Sequence, residues 1–237
     1  MSWSDYDAVL FDLDGVITPT AEVHMVAWAE MFNAFLTSYD GPATDLSAYA
    51  DSDYFAHVDG KPRYDGVRDF LTSRGIPAPQ ELVVELGDRK NDAFNEVLAR
   101  DGVEAYPGSV LLLDHLRDLG MPLAVVSSSV NAPAVLAAAG LADRFGIVVS
   151  GALATELDLP GKPAPDTFLH AAKELGATAA SAVVLEDAVS GVRAGAAGDF
   201  ALVVGVDRGV GPDALTAAGA DLVVPDLAQL VPAGAAA

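Results

Sequence analysis

The sequence predicts an α/β protein, a doubly wound parallel sheet core (Rossmann-like) with an inserted α-helical cap domain. Three observations predict it. Short, apolar, β-branched runs recur at 8–12, 123–127, 147–150, 182–186, 201–205 and 221–224. Segments of helical periodicity lie between the later runs. The interval from Thr18 to about Ala105 breaks that rhythm, with helical patterns and no buried-strand pattern.

The runs are nearly continuous in apolar residues instead of alternating, which implies strands covered on both faces, as in a parallel sheet under helices. Between them, 109–119 carries leucines at Leu112, Leu113, Leu116 and Leu119 and then meets Gly120 as a stop. The helical patterns 131–139 and 165–175 end likewise, at Gly140 and Gly176. Strand alternating with helix is the pattern of a doubly wound sheet. In the interval that breaks it, 22–36, 66–73 and 81–100 read as helices, separated by Asp40-Gly41-Pro42 and Ile76-Pro77-Ala78-Pro79. The expected division is an α/β core domain from 1–18 and 105–237 and a helical cap domain at 19–104. An insertion just past a strand's carboxyl end is placed to act as a lid over the crevice where such sheets bind ligands. The Ala-rich stretch 233–237 is expected to fray.

Of the 237 residues, 51% are hydrophobic, which excludes a disordered chain because enough apolar surface exists to offset ordering entropy. No run approaches the ~18 apolar residues of a membrane span, and Met1-Ser2-Trp3-Ser4-Asp5 lacks the positive start of a secretion signal. The expectation is a cytoplasmic protein with no membrane partner. The absence of cysteine excludes disulfides, thiolate nucleophiles and zinc–thiolate sites. A formal charge of −21 argues against nucleic acid as partner, since phosphate backbones need clustered Lys and Arg. An anionic substrate would be held by a few placed cations, because screening over roughly 8–10 Å lets local charge decide.

Asp12 and Asp14 lie two apart, so on an extended strand they point the same way while Leu13 faces the core. Gly15 then allows a sharp turn. Glu186 and Asp187 end a second apolar run. One strand-end acid would merely begin a loop or cap a helix. Four carboxylates brought together by neighbouring strands would repel one another and are difficult to sustain without a divalent cation.

Phe11-Asp12-Leu13-Asp14-Gly15-Val16-Ile17-Thr18 resembles the first motif of the haloacid dehalogenase-like superfamily. Three further motifs follow in that family's order: Ser127 after the run 123–126, Lys162 in Gly161-Lys162-Pro163-Ala164-Pro165-Asp166, and Glu186-Asp187 before Ala188-Val189-Ser190-Gly191. The resemblance implies that Asp12 attacks phosphorus in line and forms an aspartyl-phosphate. Asp14 would act as acid and then base. Mg2+ would bind Asp12, the Asp14 backbone carbonyl and Asp187, with Glu186 in support. Ser127 and Lys162 would hold the transferring phosphoryl oxygens. Taken alone, Ser127 would read as a helix-capping serine and Lys162 as a loop lysine.

Within the superfamily, the helical insertion is similar to that of the β-phosphoglucomutase-like family. Thr20-Ala21-Glu22-Val23-His24 with Trp28 resembles that family's entry into its cap, and Gly60-Lys61-Pro62-Arg63 its loop for the sugar phosphate. Arg89-Lys90-Asn91-Asp92 resembles a second cap contact, and Ser127-Ser128-Ser129-Val130-Asn131 the phosphate-side loop. The implied substrate-binding residues are Thr20, His24, Trp28, Gly60, Arg63, Lys90, Asn91, Ser128, Ser129 and Asn131. A mutase must hold a second phosphate, and the guanidinium fork of Arg63 suits that task. His24 reads equally as an ordinary helix histidine, and His57, His115 and His170 read as surface residues. Two positions depart from the family pattern: Pro19 replaces an acidic residue, and Val130 replaces a lysine. The stretch between Asp40 and Asp59 is also longer.

The expected activity is Mg2+-dependent interconversion of β-glucose 1-phosphate and glucose 6-phosphate. A sugar-phosphate phosphatase using the same Asp pair is the alternative. A dehalogenase would need neither Asp14 nor magnesium, and a phospho-accepting switch module would not need so large an insertion. The partner expected is a small-molecule sugar phosphate, and the chain is expected to be a monomer or weak homo-oligomer.

Overall fold

Six strands form one parallel sheet in the order β3-β2-β1-β4-β5-β6. In the computed structural model, which describes residues 2–58 and 63–232, they are β1 (Ala8–Phe11), β2 (Leu123–Val126), β3 (Ile147–Val149), β4 (Ala182–Glu186), β5 (Leu202–Val206) and β6 (Leu222–Val224). The helices are α1 (Thr20–Ser38), α2 (Asp51–Asp53, continuing as a π-type turn over Tyr54–Val58), α3 (Arg63–Ser73), α4 (Gln80–Asp101), α5 (Pro107–Asp118), α6 (Ala132–Ala138), α7 (Gly151–Glu156), α8 (Asp166–Glu174), α9 (Val189–Ala197) and α10 (Pro212–Ala218). The fold class expected from the sequence is the one found.

The chain divides into two compact units, Met1–Thr20 with Val103–Ala237, and Ala21–Gly102. In the first, every residue of β1, β2 and β4 is buried, because helices cover both faces of the sheet. On one face Leu10, Val126 and Val184 pack with Phe168 and Ala172 of α8 and Val192 of α9. Burying each such Leu, Val or Phe contributes roughly 1.5–3 kcal/mol. Register aligns Phe11 with Val125 on one side and with Leu185 on the other. The carboxyl ends of three adjacent strands therefore deliver Asp12, Ser127 and Glu186 side by side.

Most strands differ from the sequence runs by a residue at one end or both, and two of these differences have a clear structural cause. β1 stops at Phe11, so Asp12 to Asp14 do not continue a strand as the two-residue spacing suggested. The Asp12 N–H still donates to Leu185 O at 2.9 Å, and then Gly15 N–H closes a turn onto Thr18 O at 2.8 Å. β5 runs one residue further, to Val206, because Gly205 sits inside it and pairs with Glu186 and Val223.

The helical unit has its own core. On α1, Trp28, Met31, Phe32, Phe35 and Leu36 form the apolar stripe expected of a helix with one buried face, and Phe70, Leu71, Val83 and Leu86 pack with them. The irregular segment before α2 is tied to Arg74, whose guanidinium is almost wholly buried over the Phe70 ring. Its Nη1 donates to Asp45 Oδ2 at 2.6 Å and to Ser47 Oγ at 2.7 Å, and its Nη2 to Asp53 Oδ2 at 2.9 Å.

Candidate active site

Lys162 joins two of the strand-end acids. Its Nζ donates to Asp12 Oδ1 at 2.5 Å, to Glu186 Oε1 at 2.7 Å and to Val126 O at 2.8 Å, and it stands 4.8 Å over the Phe168 ring. The side chain is only 6% exposed, so it is no solvated loop lysine. Burial alone would lower its pKa, but the charges of Asp12 and Glu186 outweigh that and hold it above the ordinary lysine value.

The carboxylates show the reverse balance. Burial pushes Asp12 well above the usual carboxylate range, Lys162 pulls it back, and Glu186, Asp14 and Asp187 push it up again. Asp187 is raised to about 7, by burial first and then by Glu186 and Asp14. Glu186 is fully buried, and its Oε2 accepts from the N–H of Ala188 at 2.9 Å. Gly15, at φ +82°, brings its Cα so close to Asp187 that a Cβ would stand 1.9 Å from Oδ2. Asp14 is half-buried, and Oδ1 accepts a short hydrogen bond from the hydroxyl of Thr20, the first residue of α1.

The loop after β2 folds on its own hydroxyls. Ser127 N–H donates to Val149 O at 3.0 Å, Ser127 Oγ accepts from Ser129 N–H at 3.0 Å, and Ser129 Oγ accepts from Asn131 N–H at 3.2 Å. Ser127 thus shapes the loop, and α6 begins only at Ala132. A cavity of about 190 Å³ opens beside Lys162, lined by Ser127, Ser128, Thr155 and Thr167 among others. The Thr167 hydroxyl is buried there and has no hydrogen-bond partner among the described residues.

The donor set fits a hard cation. Burial first, and then the neighbouring carboxylates, raise both Asp12 and Asp187, a cost that a bound cation would relieve, and oxygen is the ligand type magnesium prefers. Among the described residues no three acidic or histidine side chains close into a protein-only cage.

Of the residues singled out from sequence, Asp12, Asp14, Thr20, Ser127, Ser128, Ser129, Asn131, Lys162, Glu186 and Asp187 lie in the α/β unit. His24, Trp28, Arg63, Lys90 and Asn91 lie in the helical unit, in two groups. Lys90 Nζ donates to His24 Nδ1 at 2.6 Å and stands 5.2 Å from the Trp28 ring, while His24 stacks on Phe94 at 4.4 Å. Burial first, then Lys90 and Arg63, lowers the His24 pKa well below the usual value, so its ring is neutral. Arg63 Nη2 donates to Asn91 Oδ1 at 2.9 Å. Gly60 lies outside the described residues. His57 is paired with Asp69 at 3.2 Å. Arg208, which donates to Gly15 O, was not singled out, because nothing local marks an arginine that reaches a carbonyl so distant in sequence.

The model of the haloacid dehalogenase-like hydrolases matches residues 6–199. The β-phosphoglucomutase of Mycobacterium bovis is 47% identical, over 94% of this chain and 91% of that protein. The β-phosphoglucomutase of Bacillus subtilis is 32% identical, over 94% and 91%. Among solved structures, the β-phosphoglucomutase from Clostridium difficile superposes with a TM-score of 0.74 at 25% identity, covering 95% of this chain and 93% of that one. CbbY from Rhodobacter sphaeroides, in complex with phosphate, has the same fold, with a TM-score of 0.77 at 23% identity over 97% and 98%. No helix among the described residues is long and apolar enough to cross a membrane. Matched over most of its length by the family model and by relatives this similar, the chain is an enzyme of the haloacid dehalogenase-like hydrolase family, in its β-phosphoglucomutase-like branch.

Proposed function

We propose that the enzyme is a Mg2+-dependent β-phosphoglucomutase acting in the cytoplasm, interconverting β-glucose 1-phosphate and glucose 6-phosphate through an aspartyl-phosphate on Asp12. The observation that carries this reading is the Lys162 bridge between Asp12 and Glu186. With Oδ1 of Asp12 committed to Lys162, the other carboxylate oxygen attacks phosphorus, and the lysine charge stays in place as negative charge moves to the transferring group. Asp14 gives a proton to the departing sugar oxygen and takes one from the hydroxyl that accepts the phosphoryl group next. The Thr20 hydroxyl on Oδ1 holds that carboxyl in one rotamer. Ser127 and Lys162 hold phosphoryl oxygens, and the cavity beside them gives the group room.

Magnesium would be held by Asp12, the Asp14 backbone carbonyl and Asp187, with Glu186 in support. When bound it would supply positive charge to the phosphoryl oxygens and let the raised carboxylates ionise at neutral pH. The helical unit, read as the cap domain at 19–104, contributes Arg63 as the cation for the second phosphate, braced by Asn91. His24, Trp28 and Lys90 belong to the same substrate-binding reading.

One observation favours a second reading. Val130 is 43% exposed in the loop that the family furnishes with a lysine, so one cation expected near the distal phosphate is missing. A sugar-phosphate phosphatase would use the same Asp pair with water as acceptor. Phosphorus NMR of the protein with β-glucose 1-phosphate, magnesium and a trace of the bisphosphate separates the two. Glucose 6-phosphate accumulates if the enzyme is a mutase. Inorganic phosphate without glucose 6-phosphate would overturn that reading in favour of the phosphatase.

A further inference from the structure

Three consecutive backbone carbonyls in the turn after Asp14 are each held by a different donor of the α/β unit. Gly15 O accepts from Arg208 Nε at 2.7 Å, Val16 O from Ser109 Oγ at 2.6 Å, and Ile17 O from Tyr106 N–H at 2.9 Å. Two of the donors come from the start of α5. The third comes from the loop after β5, at the opposite end of the chain.

The Arg208 side chain is fixed at several points. Its guanidinium carbon lies 3.8 Å from the centre of the Tyr106 ring, and Nη1 reaches Pro225 O at 3.2 Å. Its Nη2 is buried and has no hydrogen-bond partner among the described residues. Burying a guanidinium nitrogen unpaired is unfavourable, so the placement is not explained by satisfying the arginine itself. It is explained by what the planar fork does: stack on one ring while aiming Nε at one carbonyl.

That carbonyl belongs to a residue with no freedom on its other side. Gly15 adopts a left-handed φ of +82°, and its Cα faces the Asp187 carboxylate. The Gly15 unit is therefore held between Asp187 on its Cα side and Arg208 at its oxygen. Rotation of the Gly15–Val16 peptide would shift both the main chain of Asp14 and the surface against which Asp187 rests.

We propose that Arg208 is a positioning residue that fixes the Gly15 peptide and thereby the spacing of Asp14 and Asp187; this rests on the role proposed above for Asp14. Arg208→Met keeps the bulk and removes the donor and the charge. With the folded variant, kcat is expected to fall at least tenfold while KM changes by less than about twofold, since no substrate contact is removed. In the substrate-free protein the Gly15 amide resonance shifts and its hydrogen exchange accelerates at least tenfold. Arg208→Lys, which keeps one donor, recovers kcat to within about threefold of wild type.

A folded Arg208→Met protein with kcat within twofold of wild type and an unmoved Gly15 amide overturns the proposal. So does a loss of kcat that leaves Gly15 exchange unchanged, because the arginine would then act by another route. Should Arg208→Met not fold, Arg208→Gln, polar but too short to restack on Tyr106, is read by the same two measurements. The amide readout needs no substrate, so a wild type that fails the mutase assay sinks the proposed function and leaves this test standing.

Discussion

Glu186 packs its carboxylate against the bare Cα of Gly191. A Cβ at that position would lie 1.7 Å from Oε1 and 1.9 Å from the carboxyl carbon. Because Gly191 is in the first turn of α9 and Glu186 ends β4, the helix comes in close enough to fix the carboxylate from behind. Oε1 meanwhile holds Lys162 and Oε2 holds the Ala188 N–H, so neither oxygen can swing away freely.

Gly191→Ala should therefore act on Asp12, the proposed nucleophile, through two intermediaries. The methyl displaces Glu186, Lys162 loses one of its two carboxylates, and Asp12 is left less well oriented. The expected result is a fall in kcat of about 10²-fold, the size reported for misplacing a catalytic group by about 1 Å. Steady-state kinetics alongside circular dichroism checks it; a folded variant with wild-type kcat would contradict the account.

The pKa of Asp187 links stability to both pH and magnesium. In the metal-free protein it is raised to about 7, against an unfolded value of 3.8. Between those values the folded state keeps a proton that the unfolded state has released, so this group's contribution falls as pH rises through the window. By pH 8 the ionised carboxylate costs the fold on the order of a few kcal/mol. Under the proposed metal assignment magnesium would bind the ionised form, so about 10 mM should raise Tm more at pH 8 than at pH 5.5. Asp187→Asn should remove most of that difference. Equal shifts at the two pH values in wild type would refute the assignment.

His24 gives the opposite slope. Its folded pKa is lowered by burial and by Lys90 and Arg63, so below about pH 6.5 the unfolded chain takes up a proton that the folded ring refuses. Its contribution is complete above that pH and is lost as pH falls toward the folded value, by up to ~1.4 kcal/mol per unit. Urea denaturation from pH 5 to 7.5 should show His24→Gln with a shallower rise in stability than wild type. Parallel curves would mean that the ring is protonated in the fold.

Arg74→Met should destabilise the protein by about 2–3 kcal/mol, since it strips charged hydrogen bonds from Asp53 and Ser47. Asp45 is half exposed, so solvent replaces much of that pairing. Equilibrium unfolding in urea measures the loss, and kcat at saturating substrate is expected to stay within about threefold. A loss below 0.5 kcal/mol would show that the segment holds without its clamp.

Much of the α/β unit could be read from the chain because β1, β2 and β4 are covered on both faces, and total burial writes itself as unbroken apolar runs ending in Asp12, Ser127 and Glu186. Inside β5, Gly205 hid the last residue because glycine has no side chain to show burial. The helical turns at 51–58 went unseen because Tyr54 and Val58 are too few to display a period beside Asp51 and Asp53. The strand-end acids and Lys162 were visible as motifs, but the bonds joining Lys162 to Asp12 and Glu186 depend on strand order. Arg74 and Arg208 were invisible for a related reason: each meets its partners through the fold, with no local signature.

The placement of β1 also bears on how the protein emerges from synthesis. Of the six strands it is made before the other five, it is one of the two central strands of the sheet, and its partners begin at Leu123 and Ala182. The entire helical unit is therefore translated while Ala8-Val9-Leu10-Phe11 has neither edge paired. Such a segment invites pairing with a second nascent chain and depends on late, long-range contacts for its protection. Asp12, the proposed nucleophile, thus directly follows a strand that stays unpaired until most of these residues have been made.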